Sequence, residues 1–180
     1  EATWWTADAT DALSVAVGHV SRVEPLALTF DASTAAMLAI GRHGSAEQKE
    51  QFLPGLCDGR LVGAHAMTEP GSGSDSFSMR TRAERDGRGW KINGSKVLIS
   101  NAPVADVALV FAVTDATKGF HGGVTAFLVS SAMPGFQASK KMEKMGLRTS
   151  PVGELEFQDM YVAEESVLGA VGRGAAVFNT

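Results

Sequence analysis

The sequence has a single cysteine, Cys57, among 180 residues. One thiol excludes an internal disulfide framework and a multi-cysteine metal site, and it suits a reducing compartment such as the cytoplasm. No basic neighbour lies closer to it than Arg60, so it reads as structural rather than nucleophilic. Histidines are few: His19, His43, His65 and His121 lie far apart without a His-x-x-x-His pair, which argues against zinc. A basic surplus is also missing. The net charge is −4, which argues against nucleic acid as the main partner, because phosphate binding needs excess Lys and Arg. Long apolar runs are absent. The longest stretch without a charged residue, Gly119 to Ser139, contains four Gly and one Pro and cannot form a spanning helix. No basic start with an apolar run follows the N-terminus, so no secretory signal is visible. Walker, Gly-x-Gly-x-x-Gly and Gly-x-Ser-x-Gly patterns are all missing.

What is present divides near residue 60. Residues 1–60 carry eight acids and four bases, whereas residues 61–180 carry twelve of each. Apolar spacing predicts a helix over 8–23, ended by Pro25, and a second over 26–41 that is apolar around most of its surface. Ser45 and Gln48 have capping-box spacing, and a short helix is expected from there to about Phe52, broken by Pro54-Gly55. From Leu61 the period becomes two. Strands are expected at 61–67, 80–85, 90–92, 96–100, 106–114, 124–130 and 153–157. Asp86-Gly-Arg-Gly89 is a hairpin signal, and Asn93-Gly94 reads as a type I′ turn. Gly172 to Phe178 looks like the start of a helix. The expected class is α+β: N-terminal helices followed by an antiparallel β-sandwich or barrel-like domain.

The densest unusual segment is Thr68-Glu-Pro-Gly-Ser-Gly-Ser-Asp75. Gly71 and Gly73 let backbone N–H groups approach a ligand, and Thr68, Ser72 and Ser74 supply hydroxyls. Such a loop holds a phosphate or a polar ring edge, or it is a surface turn. Lys96-Val-Leu-Ile-Ser-Asn101 ends a candidate strand with Ser100, which can reach the same sheet end as Thr68, or it is an ordinary core strand. Lys140, Lys141, Lys144 and Arg148 form a basic cluster that reads as an anion contact, a partner's docking face or a solvated loop.

In this order the segments resemble the acyl-CoA dehydrogenase family, from about Leu26 to Thr180. The resemblance rests on Ile40-Gly-Arg-His-Gly-Ser45 with Gln48-Lys49 and Phe52-Leu-Pro54, and above all on Ala66-Met-Thr-Glu-Pro-Gly-Ser-Gly-Ser-Asp75. It continues through Ile92-Asn-Gly-Ser-Lys96, Ile99-Ser-Asn101, Pro134-Gly135, Lys144-Met-Gly-Leu-Arg148, Glu156-Phe157, Val167-Leu-Gly169 and Gly172-Arg-Gly174. It implies part of an N-terminal helical domain over 1–60, a middle β domain over 61–168 and the start of a C-terminal helical domain over 169–180. It also implies FAD as cofactor and α,β-dehydrogenation of an acyl-CoA or acyl-carrier-protein thioester. His65, Met67, Thr68, Gly73 and Ser74 match the first flavin segment, with Met67 and Thr68 near the isoalloxazine ring. Gly73 and Ser74 match positions by the flavin phosphates or the pantetheine arm, and Ser74 also matches a substrate contact. Leu98, Ile99 and Ser100 match the second segment, where the family commonly has Trp at the Leu98 position.

In the family the catalytic carboxylate comes from the C-terminal domain, so no Glu here is assigned as base, and Glu69 is read as loop structure. The chain therefore reads as a fragment, expected to be inactive and to hold FAD weakly by itself. The resemblance further implies a homodimer or homotetramer, with an electron-transfer flavoprotein or O₂ as acceptor. Alternative readings are an oxidase or monooxygenase-like member, or a truncated binding module.

Overall fold

The computed structural model describes residues 24–146, 148 and 150–180. The helix read over 8–23 lies outside them. Helix α1 spans Glu24–His43, slightly beyond the expected 26–41. Ser33, Ala36, Met37 and Ile40 recur at helical spacing and are buried. Ser33 Oγ accepts from Gly63 N at 2.9 Å. A Cβ on Gly63 would lie 3.1 Å from Ser33 Cα, so this glycine permits the close approach of helix to strand.

Helix α2 spans Ala46–Cys57 and begins with the expected capping box. Gln48 N donates to Ser45 Oγ at 3.2 Å, and Ser45 N to Gln48 Oε1 at 3.0 Å. The helix continues through Pro54 rather than stopping there. Proline removes one intrahelical donor. The turn persists because Gly55 and Leu56 are buried and Asp58 N donates to Pro54 O at 3.1 Å.

The strands are β1 Gly63–Ala66, β2 Arg82–Asp86, β3 Gly89–Ser100, β4 Val107–Val113, β5 Val124–Ser130, β6 Phe136–Ala138 and β7 Val152–Ala163. Two short helices, α3 Gly119–Gly123 and α4 Gly174–Phe178, flank β5 and the end of the chain. The sheet order is β1-β4-β2-β3-β7-β6, with β5 also paired to β4. Along one side of β4 runs β5. On the other side β1 pairs with residues 107–110 and β2 touches Val113. Strand β4 is thus shared by three neighbours, and the sheet curls.

The sheet is mixed rather than purely antiparallel. Both β1 and β2 run parallel to β4. Period-two alternation marks a strand but carries no direction. Here the segment between Ala66 and Arg82 carries the chain away from β1 so that β2 re-enters in the same direction.

The hairpin at Asp86–Gly89 forms as expected, with those two residues paired. Asn93-Gly94 makes no turn. It lies within β3, at a bulge where Gly94 has φ of +148°. A Cβ there would meet Thr81 Cα at 2.7 Å. Strand pairing overrides the local turn preference because β3 matches β7 along its length, and Asn93 Oδ1 accepts from Asp159 N at 2.8 Å across the bulge.

The β4 residues Ala108, Val110 and Ala112 face one core with Trp90, Ile92, Phe127 and Phe157. Val107, Leu109 and Phe111 face the other, with Ile40, Leu56 and Leu168. Gln48 Nε2 donates to Glu165 O at 2.8 Å and Val167 O at 3.0 Å, tying α2 to the chain after β7. Among the described residues no helix is long and apolar enough to cross a membrane.

Candidate functional site

The ladder between β1 and β4 ends at Ala66. The chain then passes through Met67, Thr68 and the loop to Asp75. Glu69 and Ser72 exchange backbone hydrogen bonds at 2.9 and 3.1 Å, and Ser72 Oγ donates to Asp75 O at 2.6 Å. This closes a tight turn. Gly71 and Gly73 are exposed, and a Cβ on either would meet nothing within 4 Å. Their bare backbone is therefore not required by the packing of this chain, and it leaves room for a group from outside.

Strand β3 lies directly beside this loop. Val97 N donates to Thr68 O at 2.9 Å. That bond brings Met67 and Thr68 next to Leu98, Ile99 and Ser100, so the two predicted segments share one edge. Within β3 the pairing with β7 slips between Lys96 and Ile99. Leu98 occupies the slip with φ of +56° and its side chain 65% exposed. A leucine in left-handed backbone costs about 1–2 kcal/mol, and its partial burial offsets only part of that.

The predicted residues do not all present side chains there. Thr68 and Ser100 are half-buried, and Gly73 and Ser74 are exposed. Met67 is buried in the helix-side core, and Ile99 is 3% exposed in the opposite core, so Ile99 offers this edge only its backbone. His65 packs against Phe111, ring centroids 5.2 Å apart, and near Phe178 at 6.3 Å. Burial lowers its pKa below the usual histidine value; a backbone hydrogen bond opposes the shift, and the Lys96 charge adds to it. The ring is neutral at neutral pH.

A buried ion pair lies beneath the loop. Lys96 Nζ is 2.8 Å from Glu69 Oε1 and 3.1 Å from Met67 O. Glu69 also accepts from Arg80 N at 2.6 Å and Thr81 N at 3.0 Å. Burial pulls the Lys96 ammonium down to about 8, and the Glu69 charge resists this. Burial pushes Glu69 up, but the Lys96 charge and the hydrogen bonds outweigh it and hold the carboxyl below its usual range. Both groups are charged at neutral pH.

Sequence reading placed Glu69 in the loop but missed its partner. The signal was available. Lys96 shares strand parity with Trp90 and Ile92, both of which face the core.

The other candidates lie elsewhere. Cys57 Sγ lies 3.7 Å from Met37 Sδ, and burial followed by the Asp58 charge raises its thiol pKa, an unreactive setting. Lys144 Nζ and Arg148 Nε donate to carbonyls of their own loop, Ser150 O at 2.6 Å and Lys144 O at 2.8 Å. A cavity of about 470 Å³ opens beside the start of α2, lined by His43, Ser45, Gln48, Glu165 and Val167, and contains none of the predicted residues. Among the described residues no cluster of His, Cys, Asp or Glu is placed to hold a metal.

Two family descriptions match: "Acyl-CoA dehydrogenase, N-terminal domain" over residues 8–60 and "Acyl-CoA dehydrogenase, middle domain" over 64–160. The chain is 41% identical over 165 residues to the mitochondrial isovaleryl-CoA dehydrogenase of Solanum tuberosum, covering 91% of this chain and 40% of that protein. It superposes on the prolyl acyl carrier protein oxidase AnaB with a TM-score of 0.82 and 36% identity, covering 87% of this chain and 42% of that one. The FAD complex of PigA matches with a TM-score of 0.86 and 33% identity, covering 99% of this chain and 48% of that one. The chain thus spans about 40% of the length of the curated relative above. The curled sheet with its helical lead-in, the edge built from the Thr68–Asp75 loop and β3, and these matches together place the chain in the acyl-CoA dehydrogenase family.

Proposed function

We propose that this chain supplies the flavin-holding part of an FAD-dependent dehydrogenase acting on an acyl thioester carried by CoA or by a carrier protein. The observation that carries this is the Val97–Thr68 hydrogen bond, which joins the two predicted flavin segments at one edge. The side chains there fit the group. Thr68 and Ser100 are only half-buried and Ser74 is exposed, and Leu98 stands exposed at a strained position. The chemistry supplied by bound FAD would be that of a hydride acceptor for the β carbon of the acyl group, and it belongs to the cofactor.

The residues of the chain have supporting roles. Thr68 hydrogen-bonds the polar rim of the ring. The Met67 and Ile99 backbones line it, and His65, on β1, packs as a neutral ring against Phe111. Leu98 covers part of the ring face and excludes water. Gly73 lets the backbone approach a phosphate or the pantetheine arm, and Ser74 and Ser100 add hydroxyls. Removal of the α proton requires a positioned carboxylate. No residue of this chain is assigned that role.

The test is the visible spectrum of the purified native protein. Flavin bands that bleach anaerobically with an acyl thioester are expected. A colourless protein that gains no flavin absorbance with added FAD refutes the reading.

A second reading, an oxidase, is supported by the similarity to AnaB. Oxygen consumption coupled to substrate separates it from a dehydrogenase that passes electrons to a flavoprotein acceptor. A homodimer or homotetramer and cytoplasmic residence belong to the same proposal. So do the divisions at residues 60 and 168.

A further inference from the structure

Lys96 has no role assigned so far and Glu69 only that of loop structure, and their geometry is demanding. The two side chains are 0% and 4% exposed. Burying two charges costs several kcal/mol per ion, and an apolar pair of similar volume is often as stable or more so. Stability alone is therefore a weak reason for the pair.

What it does achieve is placement. Met67 lies one residue past the end of β1, and its carbonyl receives a hydrogen bond from Lys96. Glu69 takes two backbone donors at the entry to β2 and the ammonium from β3. Three separate segments are thus pinned to one loop, on either side of Thr68. The flanking turn, with Ser72 closed on Glu69 and Asp75, is held by that anchor.

We propose that the Lys96–Glu69 pair is the positioning device of the flavin edge, fixing Met67, Thr68 and the loop to Asp75 in the cofactor-binding conformation. This rests on the flavin reading above. Neither residue touches the cofactor; both act through the loop.

The test compares four native-length proteins: wild type, Lys96→Met, Glu69→Gln and the double variant. FAD affinity is measured by fluorescence titration of the apoproteins, and thermal stability of the same apoproteins is recorded without flavin. Both single variants should lose stability. The double variant, free of unpaired charge, should recover much of that stability yet still bind FAD at least about tenfold more weakly than wild type. A Lys96→Arg variant should restore affinity in part, because it keeps a cation for Glu69.

If the double variant regains wild-type FAD affinity, the pair is only structural and the proposal is overturned. Undiminished affinity in the single variants overturns it too. Should Lys96→Met fail to fold, Glu69→Gln and the double variant carry the same comparison. A wild-type protein that binds no FAD refutes the flavin reading itself, an outcome distinct from any of these.

Discussion

Leu98 tests whether backbone strain is built into the site. Its φ of +56° lies in the left-handed region, and its side chain is 65% exposed. Replacing it by Ala removes the side chain but keeps the strain. Replacing it by Gly removes both. The side chain is about one-third buried, so its loss costs roughly 0.5–1 kcal/mol in either variant, taking about 1.5–3 kcal/mol for full burial of leucine. The strain relieved by Gly is about 1–2 kcal/mol. The extra freedom of Gly in the unfolded chain costs about 0.5–1 kcal/mol. The difference leaves Leu98→Gly at least as stable as Leu98→Ala, by up to about 1.5 kcal/mol, the reverse of the usual order. Urea unfolding of the apoprotein measures this as a shift in midpoint at constant slope. Flavin affinity separates the side chain from the backbone. If Leu98 covers the ring, both variants lose about 1–2 kcal/mol of binding, roughly five- to thirtyfold. An alanine variant more stable than the glycine variant, the usual order, refutes the strain argument. Unchanged FAD affinity in both removes Leu98 from the ring contact.

Three further outcomes follow from individual positions. Gly94→Ala should cost more than about 2 kcal/mol in a urea titration, because the new methyl meets the Thr81 backbone at 2.7 Å and φ is +148°. Trp90 Nε1 donates to Glu164 Oε2 at 2.9 Å, and the Arg85 guanidinium lies 4.0 Å from the Trp90 ring centroid. Trp90→Phe keeps most of the packing but loses that bond, so it should cost about 1–3 kcal/mol, against less than about 1 for the exposed Arg85→Ala. Glu69 supplies the pH dependence. Its folded pKa is depressed, so its contribution is fully present above the usual value of 4.5 and is lost as pH falls through the lowered folded value. Melting temperature against pH should therefore drop less steeply on the acid side in Glu69→Gln than in wild type; an unchanged acid limb refutes this.

The legible parts of the fold were those fixed by local chemistry. Ser45 and Gln48 form a cap whose two bonds close within four residues. The Asp86–Gly89 hairpin pairs neighbours in sequence. Where distant pairing competes with a local signal, the local reading fails. Asn93-Gly94 has turn chemistry, but β7 supplies a partner along the whole of β3, and the glycine serves a bulge against Thr81 instead. Pro54 has breaker chemistry, but the burial of Leu56 holds the turn beyond it. Strand direction was illegible for a different reason. The parallel pairing of β1 with β4 depends on where the intervening chain travels, which alternation does not encode. At the candidate site, residue types marked the loop, while the Lys96–Glu69 pair required knowing that two residues 27 apart in sequence meet in the core.

The placement of the exceptions is itself an argument about function. In most of this chain each level of structure agrees with the others: apolar residues alternate into two cores, caps close, and the glycines at Gly63 and Gly94 have neighbours that require them. At one edge several of these rules fail together. Leucine adopts a left-handed conformation while exposed, two glycines have nothing to accommodate, and a lysine is fully buried. Each departure costs stability by itself, and a sequence shaped only for folding would have scattered or removed them. The bond from Val97 to Thr68 joins the loop to β3 at this edge. A ligand seated along this edge would cover Leu98 and fill the space beside Gly71 and Gly73, so one bound group accounts for two of the three exceptions. The third, the buried lysine, then has its explanation in holding the loop that the ligand meets.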